Sequence, residues 1–283
     1  KRMRPVLALM GAELFNTDFE QAKHAALAVE LFHNFTLIHD DIMDEAPLRR
    51  SKETVHTKWN TNIAILSGDA LMIESYKQLS HYSPDVLAQL FPLFNQTALE
   101  VCEGQQWDMD FETMDTVDIP AYIKMIAYKT AVLLGCSLKM GAIIGGANTD
   151  DADDLYDFGV NLGVAFQIQD DILDVYADQN KFGKQVGGDI IANKKTFLLL
   201  KALEDANDSQ KERFNALFNE SDKVAKVEGV KALYAELDIK AKATTKMNEY
   251  HDLAMTKLER IAIEDSKKTP LRELAHFLLG REH

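Results

Sequence analysis

Two acidic segments with identical spacing are the residues most suited to chemistry in this sequence. Residues 40–44 read Asp-Asp-Ile-Met-Asp and residues 170–174 read Asp-Asp-Ile-Leu-Asp. In each, the acids occupy positions i, i+1 and i+4. On an α-helix, positions i and i+4 lie on one face and position i+1 lies about 100° around it, so all three carboxylates can converge on one region.

Such crowding of carboxylates is unfavourable without a counter-charge. Two carboxylates ~4 Å apart repel by about 1 kcal/mol in water and by about 4 kcal/mol at an effective dielectric constant of 20. Mg²⁺ would remove this repulsion, because it shares its coordination shell among carboxylates, waters and substrate phosphates. A single motif of this kind is more often a solvated helix face. The repetition with the same spacing favours two metal-binding motifs.

Basic residues accompany both acidic motifs, although the chain has a net charge of -14. Arginine can bind phosphate as a bidentate fork, and lysine acts as a mobile point charge. Each basic residue alone is more often a surface charge, but the ordered set favours a diphosphate ligand. The set comprises Lys1, Arg2, Arg4, Arg49, Arg50, Lys129, Lys181, Lys184, Lys194 and Lys195.

Helices are the elements expected to position these groups, because apolar residues recur at three- and four-residue spacing along almost the whole chain. Thr269 is expected to cap a helix that begins at Pro270. No low-complexity linker divides the chain, so we expect an all-α, single-domain helical bundle over residues 1–283. The predicted helices cover residues 3–15, 18–44, 60–82, 85–109, 118–146, 152–178, 194–205, 209–218, 222–238, 240–264 and 269–280.

Composition excludes several other classes of protein. The negative charge argues against a nucleic-acid binder, which needs a basic face. The most apolar stretch, residues 131–147, contains Lys139 and four glycines, so we expect no stable membrane insertion. The two cysteines lack metal-ligand spacing and are expected to be buried thiols in a reducing compartment. No signal peptide is visible, and cytoplasmic location is the expectation.

Both motifs and their surroundings resemble those of the trans-isoprenyl diphosphate synthases, also called polyprenyl synthetases, and most closely the short-chain, geranylgeranyl diphosphate synthase-like members. The resemblance runs from Lys1 to residues 272–274 and includes a Gly-Gln-x-x-Asp segment at residues 104–108. It implies a bundle of the isoprenoid synthase type with a central substrate cavity. The implied enzyme is a homodimer that uses Mg²⁺ to join isopentenyl diphosphate to an allylic diphosphate. The family's first helix has no counterpart here and is expected upstream of residue 1.

The resemblance also assigns roles to individual positions. The diphosphate of isopentenyl diphosphate would be bound by Lys1, Arg4, His33 and Arg50. The allylic diphosphate would be bound by Arg49, Lys129, Lys184 and Lys194. The principal ligands of Mg²⁺, with three ions expected when substrate is bound, would be Asp40, Asp44 and Asp170. The remaining motif acids, Asp41, Asp171 and Asp174, would orient ligands, metal-bound waters or basic side chains. The developing carbocation would face Thr130 and Gln167.

Four positions depart from the family pattern and put loop conformation in question. Ser51 and Glu53 stand where Gly and Pro commonly follow the arginine pair. Asn193 stands in place of a common Gly and Leu198 in place of a common Pro. None of these changes removes a charged ligand.

Product length is expected to depend on Phe35, which lies five residues, or about one and a half turns, before Asp40. Phe32 lies deeper, and Thr36 neighbours it. In the family, an aromatic residue here marks short-chain synthases, so we expect geranylgeranyl diphosphate, with farnesyl diphosphate as the alternative. Phe35 could instead be an ordinary core aromatic. A class I terpene cyclase and a non-catalytic regulatory subunit are disfavoured, because both acidic motifs are intact.

Overall fold

The computed structural model describes residues 2–177 and 187–280. Lys1 and Lys184, which are predicted to bind diphosphate, and Lys181 of the basic set lie outside the described residues. Over the described ranges the regular secondary structure is helical apart from one short hairpin, so the predicted all-α class is confirmed.

The elements follow one another in a simple order along the chain. The first part contains α1 (Met3–Leu14), a 3₁₀ turn (Phe19–Ala22), α2 (Lys23–Met43), β1 (Leu48–Arg49), β2 (Lys52–Glu53), α3 (Val55–Lys58) and α4 (Thr61–Leu79). The middle contains α5 (Pro84–Thr113), α6 (Ile119–Ile126), a π-helical turn (Ala127–Ala131), α7 (Val132–Ile144) and α8 (Thr149–Tyr176). The last part contains α9 (Gly188–Ile191), α10 (Phe197–Asp205), α11 (Asp208–Phe218), α12 (Lys223–Glu236), α13 (Ile239–Arg260) and α14 (Asp265–Leu279).

The described residues form two compact units. The first unit contains residues 2–96, 136–156 and 261–263. The second unit contains residues 97–135, 157–177, 187–260 and 264–280. Helices α5, α7 and α8 contribute residues to both. The first acidic motif belongs to the first unit and the second motif to the second.

The core of the first unit is built around α2, which packs along α4. Ala25, Ala28, Phe32 and Phe35 are buried at three- and four-residue spacing, so they form one face of α2. The same helix continues into the acidic motif at its C-terminal end. The motif is therefore held by a well-packed helix.

The β1–β2 hairpin follows the first motif and was not predicted, because two-residue strands leave no alternating pattern. Arg50 and Ser51 form its two-residue turn, with positive φ angles of 52° and 62°. Two left-handed residues match the twist of paired strands, which is why Gly is usually favoured in such turns. Non-glycine residues adopt this conformation at a cost of about 1–2 kcal/mol each. The departure at Ser51 therefore leaves the turn intact but strained.

Three further sequence predictions were wrong in detail. Thr269 does not cap the last helix, because α14 begins at Asp265 with Pro270 inside it. A proline there removes one backbone hydrogen bond without ending the helix. The helix predicted over 118–146 contains a π-helical turn, which periodicity alone does not reveal. Cys136 is buried as expected, but Cys102 is exposed.

The core of the second unit brings together α6, α8, α10 and α12. Ile126, Ile168, Leu198 and Leu233 belong to one buried cluster contributed by these helices. Leu198, which departs from the family pattern, is fully buried in it. Helix α10 is capped by the side chain of Thr196, which accepts a hydrogen bond from the backbone N–H of Leu199. The core therefore fixes the start of α10 near the second acidic motif.

One helical stretch among the described residues, Ile119–Ile144, is long and apolar enough to cross a membrane, with a mean hydropathy of 1.3. Within the protein, 61% of its most apolar window is buried. Core helices pass the same test of length and composition. This stretch is therefore weak support for a membrane span.

Candidate active site

The first acidic motif occupies the last turn of α2. The backbone N–H of Asp44 donates to the carbonyl oxygen of Asp40 across 2.8 Å, so helical spacing continues through the motif. Asp44 is exposed and Asp40 half-buried, whereas Asp41 is 4% exposed. The three acids thus have different environments despite their adjacency.

Asp41 is neutralised by Arg49 from strand β1. Arg49 Nε lies 2.7 and 2.9 Å from the two carboxylate oxygens of Asp41, and Nη2 lies 2.7 Å from Oδ1. A guanidinium that contacts both carboxylate oxygens forms the strong, directional type of ion pair. The hairpin therefore holds Arg49 beside the motif. The family resemblance assigns Arg49 to the allylic diphosphate, whereas in this structure Arg49 is bound to Asp41.

Arg4, His33 and Arg50 form a basic cluster with Arg49 in the first unit. Arg4 Nη1 lies 3.1 Å from His33 Nε2, and because a guanidinium only donates, His33 accepts at Nε2. Burial lowers the pKa of His33 to about 3, with further lowering by the charges of Arg4, Arg50 and Arg49. His33 is therefore neutral at physiological pH. The predicted isopentenyl diphosphate residues that the structure describes are thus brought together.

Arg4 is the most buried cation of this basic cluster. Burial lowers its pKa to about 10, against an opposing effect of Glu30. Its Nε atom is buried without a hydrogen-bond partner among the described residues. A buried donor of this kind is unfavourable unless a ligand or water satisfies it. The basic cluster therefore suits an anion that accepts hydrogen bonds.

The second acidic motif is anchored through Asp171. Its Oδ2 accepts a hydrogen bond of 2.6 Å from the Tyr122 hydroxyl and one of 3.0 Å from the backbone N–H of Phe197, the first residue of α10. Burial raises the pKa of Asp171 to about 7; both hydrogen bonds and the Lys194 charge oppose this, while Asp189 adds to it. Asp171 thus joins α6, α8 and α10.

The other acids of the second motif are less enclosed. Asp170 and Asp174 are half-buried, as is Gln167 one turn earlier on α8. Asp174 Oδ2 accepts a hydrogen bond of 3.0 Å from the backbone N–H of Asp189 in α9. Lys194 is exposed, and its charge acts on Asp171. As in the first motif, the central acid is the most buried of the three.

The π-helical turn between α6 and α7 carries Lys129 and Thr130, which are both half-buried. Lys129 Nζ forms an ion pair of 2.5 Å with Asp108 on α5. A Cβ atom on Gly104 would lie 2.2 Å from the backbone nitrogen of Lys129, and one on Gly163 would lie 2.6 Å from Ala131 Cβ. Only glycine at these two positions allows α5 and α8 to approach the turn. The Gly-Gln-x-x-Asp segment therefore contributes both the glycine that lets α5 pack against the turn and the aspartate that pairs with Lys129.

Two supporting residues escaped the sequence interpretation. Tyr122 lies 49 residues from Asp171 in sequence, and no local pattern links the two. Lys195 was grouped with the basic set, but its ammonium donates to the carbonyl oxygen of Phe111 in the last turn of α5. A lysine at a helix C-terminus is electrostatically favourable. Only the three-dimensional structure distinguishes the role of Lys195 from that of the neighbouring Lys194.

Phe35 is buried and contacts other aromatic rings of the first unit. Its ring centroid lies 5.4 Å from that of Phe32 and 4.8 Å from that of His39, and Phe32 lies 5.5 Å from Phe94. Thr36 is half-buried, and its hydroxyl donates to the carbonyl oxygen of His33. Phe32 and Phe35 therefore lie in one aromatic cluster, and Thr36 is their neighbour on α2.

The acid sets fit Mg²⁺ better than an ion that needs a complete protein cage. Within residues 2–177 and 187–280, no three His, Cys, Asp or Glu side chains come together as a ready-made metal site. Asp40 and Asp44 offer hard carboxylate oxygens that are not fully enclosed. Mg²⁺ is commonly held by one or two carboxylates together with waters and substrate phosphates.

Comparison with known proteins identifies relatives of this helical chain. The sequence profile of the polyprenyl synthetase family matches residues 1–237. Geranylgeranyl pyrophosphate synthase of Geoglobus acetivorans is 36% identical over 285 residues, which cover 100% of this chain and 87% of the relative. Geranylgeranyl diphosphate synthase of Saccharolobus solfataricus is 37% identical, with coverage of 99% and 86%. A crystal structure of a geranylgeranyl pyrophosphate synthase matches with a TM-score of 0.94 at 45% identity, covering 100% of this chain and 88% of that one.

The chain therefore belongs to the polyprenyl synthetase family, and it is a prenyltransferase of isoprenoid biosynthesis. Its fold is that of the isoprenoid synthases.

The neutral state of His33 predicts how stability depends on pH. Because the pKa of His33 falls from 6.5 to about 3 on folding, the unfolded chain binds a proton between these values that the folded chain does not. This contribution to stability is therefore complete above pH 6.5 and is lost as pH falls. We expect His33→Gln to flatten the dependence by up to about 1.4 kcal/mol per pH unit. Urea unfolding at several pH values between 4.5 and 7 measures it, with exposed His276→Gln as control. Equal slopes in the two variants would contradict the assignment.

Proposed function

We propose that this prenyltransferase condenses allylic diphosphates with isopentenyl diphosphate in trans, head-to-tail fashion, with geranylgeranyl diphosphate as its main product. The observation that carries this proposal is the basic cluster of Arg4, neutral His33, Arg49 and Arg50, next to an acidic motif whose central member is already paired with Arg49. Such a cluster suits a second diphosphate that needs no metal of its own. The names of the relatives described above support the product.

The proposal requires both acidic motifs to act on the same allylic diphosphate, within one domain spanning residues 1–283. Asp40, Asp44 and Asp170 would hold Mg²⁺, with three ions when substrate is bound. The ions would supply charge neutralisation to the leaving diphosphate. Asp41, Asp171 and Asp174 would hold the surrounding groups in place. We further propose a cytoplasmic enzyme that neither binds nucleic acid nor inserts stably into a membrane.

The roles of the protein groups follow from the charges that develop during the reaction. Breaking the allylic carbon–oxygen bond produces a diphosphate anion and an allylic cation. Lys129, Lys184 and Lys194, with Arg49, would stabilise the anion as preorganised cations. The hydroxyl of Thr130 and the amide oxygen of Gln167 would point dipoles at the cation.

The second substrate would then react as a carbon nucleophile. Isopentenyl diphosphate, held by Lys1, Arg4, His33 and Arg50, would donate its double-bond electrons to the cation and gain from proximity. The new carbon–carbon bond leaves a cation that loses a proton, which the released diphosphate accepts. An allylic product is regenerated, and no covalent intermediate with the protein is required.

Product analysis tests the proposed activity directly. The protein is incubated with Mg²⁺, isopentenyl diphosphate and each allylic primer in turn, and a twenty-carbon product is expected. Asp40→Asn should lower kcat by roughly 100-fold or more, because it removes a metal ligand. The exposed Asp208→Asn is the matched control and should leave the rate unchanged. Fifteen-carbon product would favour the farnesyl alternative. Turnover of the primer without incorporation of isopentenyl diphosphate would favour a terpene cyclase, and no turnover a regulatory subunit.

The aromatic cluster predicts control of product length by Phe35. If its ring blocks the growing chain, Phe35→Ala should shift products beyond twenty carbons, since it opens space next to Phe32. Phe214, another buried phenylalanine that belongs to the core of the second unit, provides the matched Phe214→Ala control. Each variant should lose about 3–5 kcal/mol of stability, so the assay is run below both unfolding temperatures. Unchanged product length in Phe35→Ala would leave Phe35 as an ordinary core residue.

We also propose that the enzyme is a homodimer that buries an apolar stripe on α4. Ile63, Leu66, Ala70 and Ile73 follow one another at three- and four-residue spacing, and all are exposed. Leu66 and Ile73 are 68% and 64% exposed. A contiguous apolar stripe on a helix is characteristic of a protein–protein contact.

Disrupting this stripe should dissociate the dimer. Leu66→Glu places a charge at the centre of the proposed interface, where an unpaired carboxylate cannot be desolvated without a large cost. We expect a dimer for the wild type and a monomer for the variant in size-exclusion chromatography with light scattering. Val224→Glu, a change at a similarly exposed apolar site on α12, serves as control. A monomeric wild type would refute the proposal.

A further inference from the structure

A buried lysine contacts the end of α9, the short helix at Gly188–Ile191. Lys226, near the start of α12, is 5% exposed. Its Nζ donates to the carbonyl oxygens of Ile191 at 3.2 Å and Phe218 at 3.3 Å. These are the last residues of α9 and α11. One ammonium group thus joins the C-terminal ends of two helices.

Burial of this ammonium is unfavourable unless its donors are satisfied. Carbonyl groups at a helix C-terminus lack intrahelical partners and carry a partial negative charge, so they are suitable acceptors. An apolar side chain of similar length could fill the same space, but it could not hold the two helix ends together. The arrangement is therefore a positional restraint as well as packing.

The restraint is connected to the second acidic motif through α9. The backbone N–H of Asp189 donates to Asp174 Oδ2 at 3.0 Å, and the N–H of Gly187 donates to the carbonyl oxygen of Asp174 at 2.6 Å. Helix α9 is thus held at its start by Asp174 and at its end by Lys226. With only four residues, it depends on such tertiary contacts to remain helical.

The same restraint reaches Lys194. Asn193, with a φ of 54°, turns the chain directly after α9, and its amide donates to the carbonyl oxygen of Phe218, which also accepts from Lys226. The backbone N–H of Lys194 donates to the carbonyl oxygen of Asp189 at 2.9 Å. Asn tolerates the left-handed conformation, so the departure from Gly at position 193 keeps the turn and adds a hydrogen bond.

We propose that Lys226 is a positioning residue for the allylic diphosphate, which fixes α9 and thereby the relative placement of Asp174 and Lys194. Lys226 itself does not touch the substrate. This inference rests on the proposed function, in which Lys194 binds the allylic diphosphate and Asp174 orients the groups around it.

Lys268 supplies a closely matched control within the same unit. It is also 5% exposed, and its Nζ donates to the carbonyl oxygen of Glu259 near the end of α13 at 2.9 Å. The Glu259 carboxylate lies 3.8 Å away. Lys268 shares the burial and the helix-end acceptor of Lys226, but its contacts are to α13 and not to α9. A purely structural effect of losing a buried lysine should therefore appear in both variants.

The test compares Lys226→Met with Lys268→Met by steady-state kinetics below both unfolding temperatures. We expect both variants to have a lower Tm. Only Lys226→Met should raise KM for the allylic diphosphate, by about tenfold, with KM for isopentenyl diphosphate within about twofold of wild type. Lys226→Arg, which keeps charge and donors, should recover most of the affinity. Should Lys226→Met fail to fold, Lys226→Gln replaces it in the same comparison.

Hydrogen exchange at the amides of Gly187 and Asp189 provides a readout that does not depend on activity. We expect faster exchange there in Lys226→Met and wild-type rates in Lys268→Met. Equal kinetic effects in the two variants, or unchanged exchange at these amides, would overturn the positioning role. If the wild type forms no prenyl product, the proposed function fails instead, whatever the exchange data show about α9.

Discussion

Relief of carboxylate repulsion is the constraint on which the rest of this structure depends. Each acidic motif crowds three carboxylates into one helical turn and a half, and each has its central member buried against protein donors. Asp41 is paired with Arg49, and Asp171 accepts hydrogen bonds from Tyr122 and from the start of α10. The flanking acids keep more contact with solvent. In each motif, the second of the three carboxylates is thus the most buried one.

The two motifs reach this result by different means. The first uses a full positive charge, delivered by a hairpin whose turn contains two left-handed residues. The second uses neutral donors and the end of a helix, and burial raises the pKa of Asp171 to about 7. A guanidinium beside the first motif also contributes to the field that keeps His33 neutral. The hairpin thus places Arg49 where it both pairs with Asp41 and adds to the effect of burial on His33.

Sequence patterns predicted the parts of this protein that repeat, and missed those that depend on single contacts. The helices and both motifs were visible because periodicity and spacing are local properties. The hairpin at Arg50 and Ser51 was not, since two-residue strands carry no period. Pro270 gave a wrong start for the last helix, because it lies inside α14 and removes one backbone hydrogen bond without ending the helix. Tyr122 could not be found because its partner is distant in the chain. Gly104 was recognised only as part of a motif, whereas the structure shows that its lack of a side chain lets the backbone of Lys129 approach α5.

The π-helical turn at Ala127–Ala131 also changes how the apolar stretch around it should be understood. One surplus residue in a helix rotates everything after it by about 100° relative to what comes before. After the turn, residues 132–142 of α7 are buried on every face except at half-buried Lys139. A helix that is buried all round is apolar all round, which is also the composition of a membrane span. The hydrophobicity of this stretch is therefore that of an interior helix, and the π-helical turn at its start is the place where two polar side chains, Lys129 and Thr130, interrupt it.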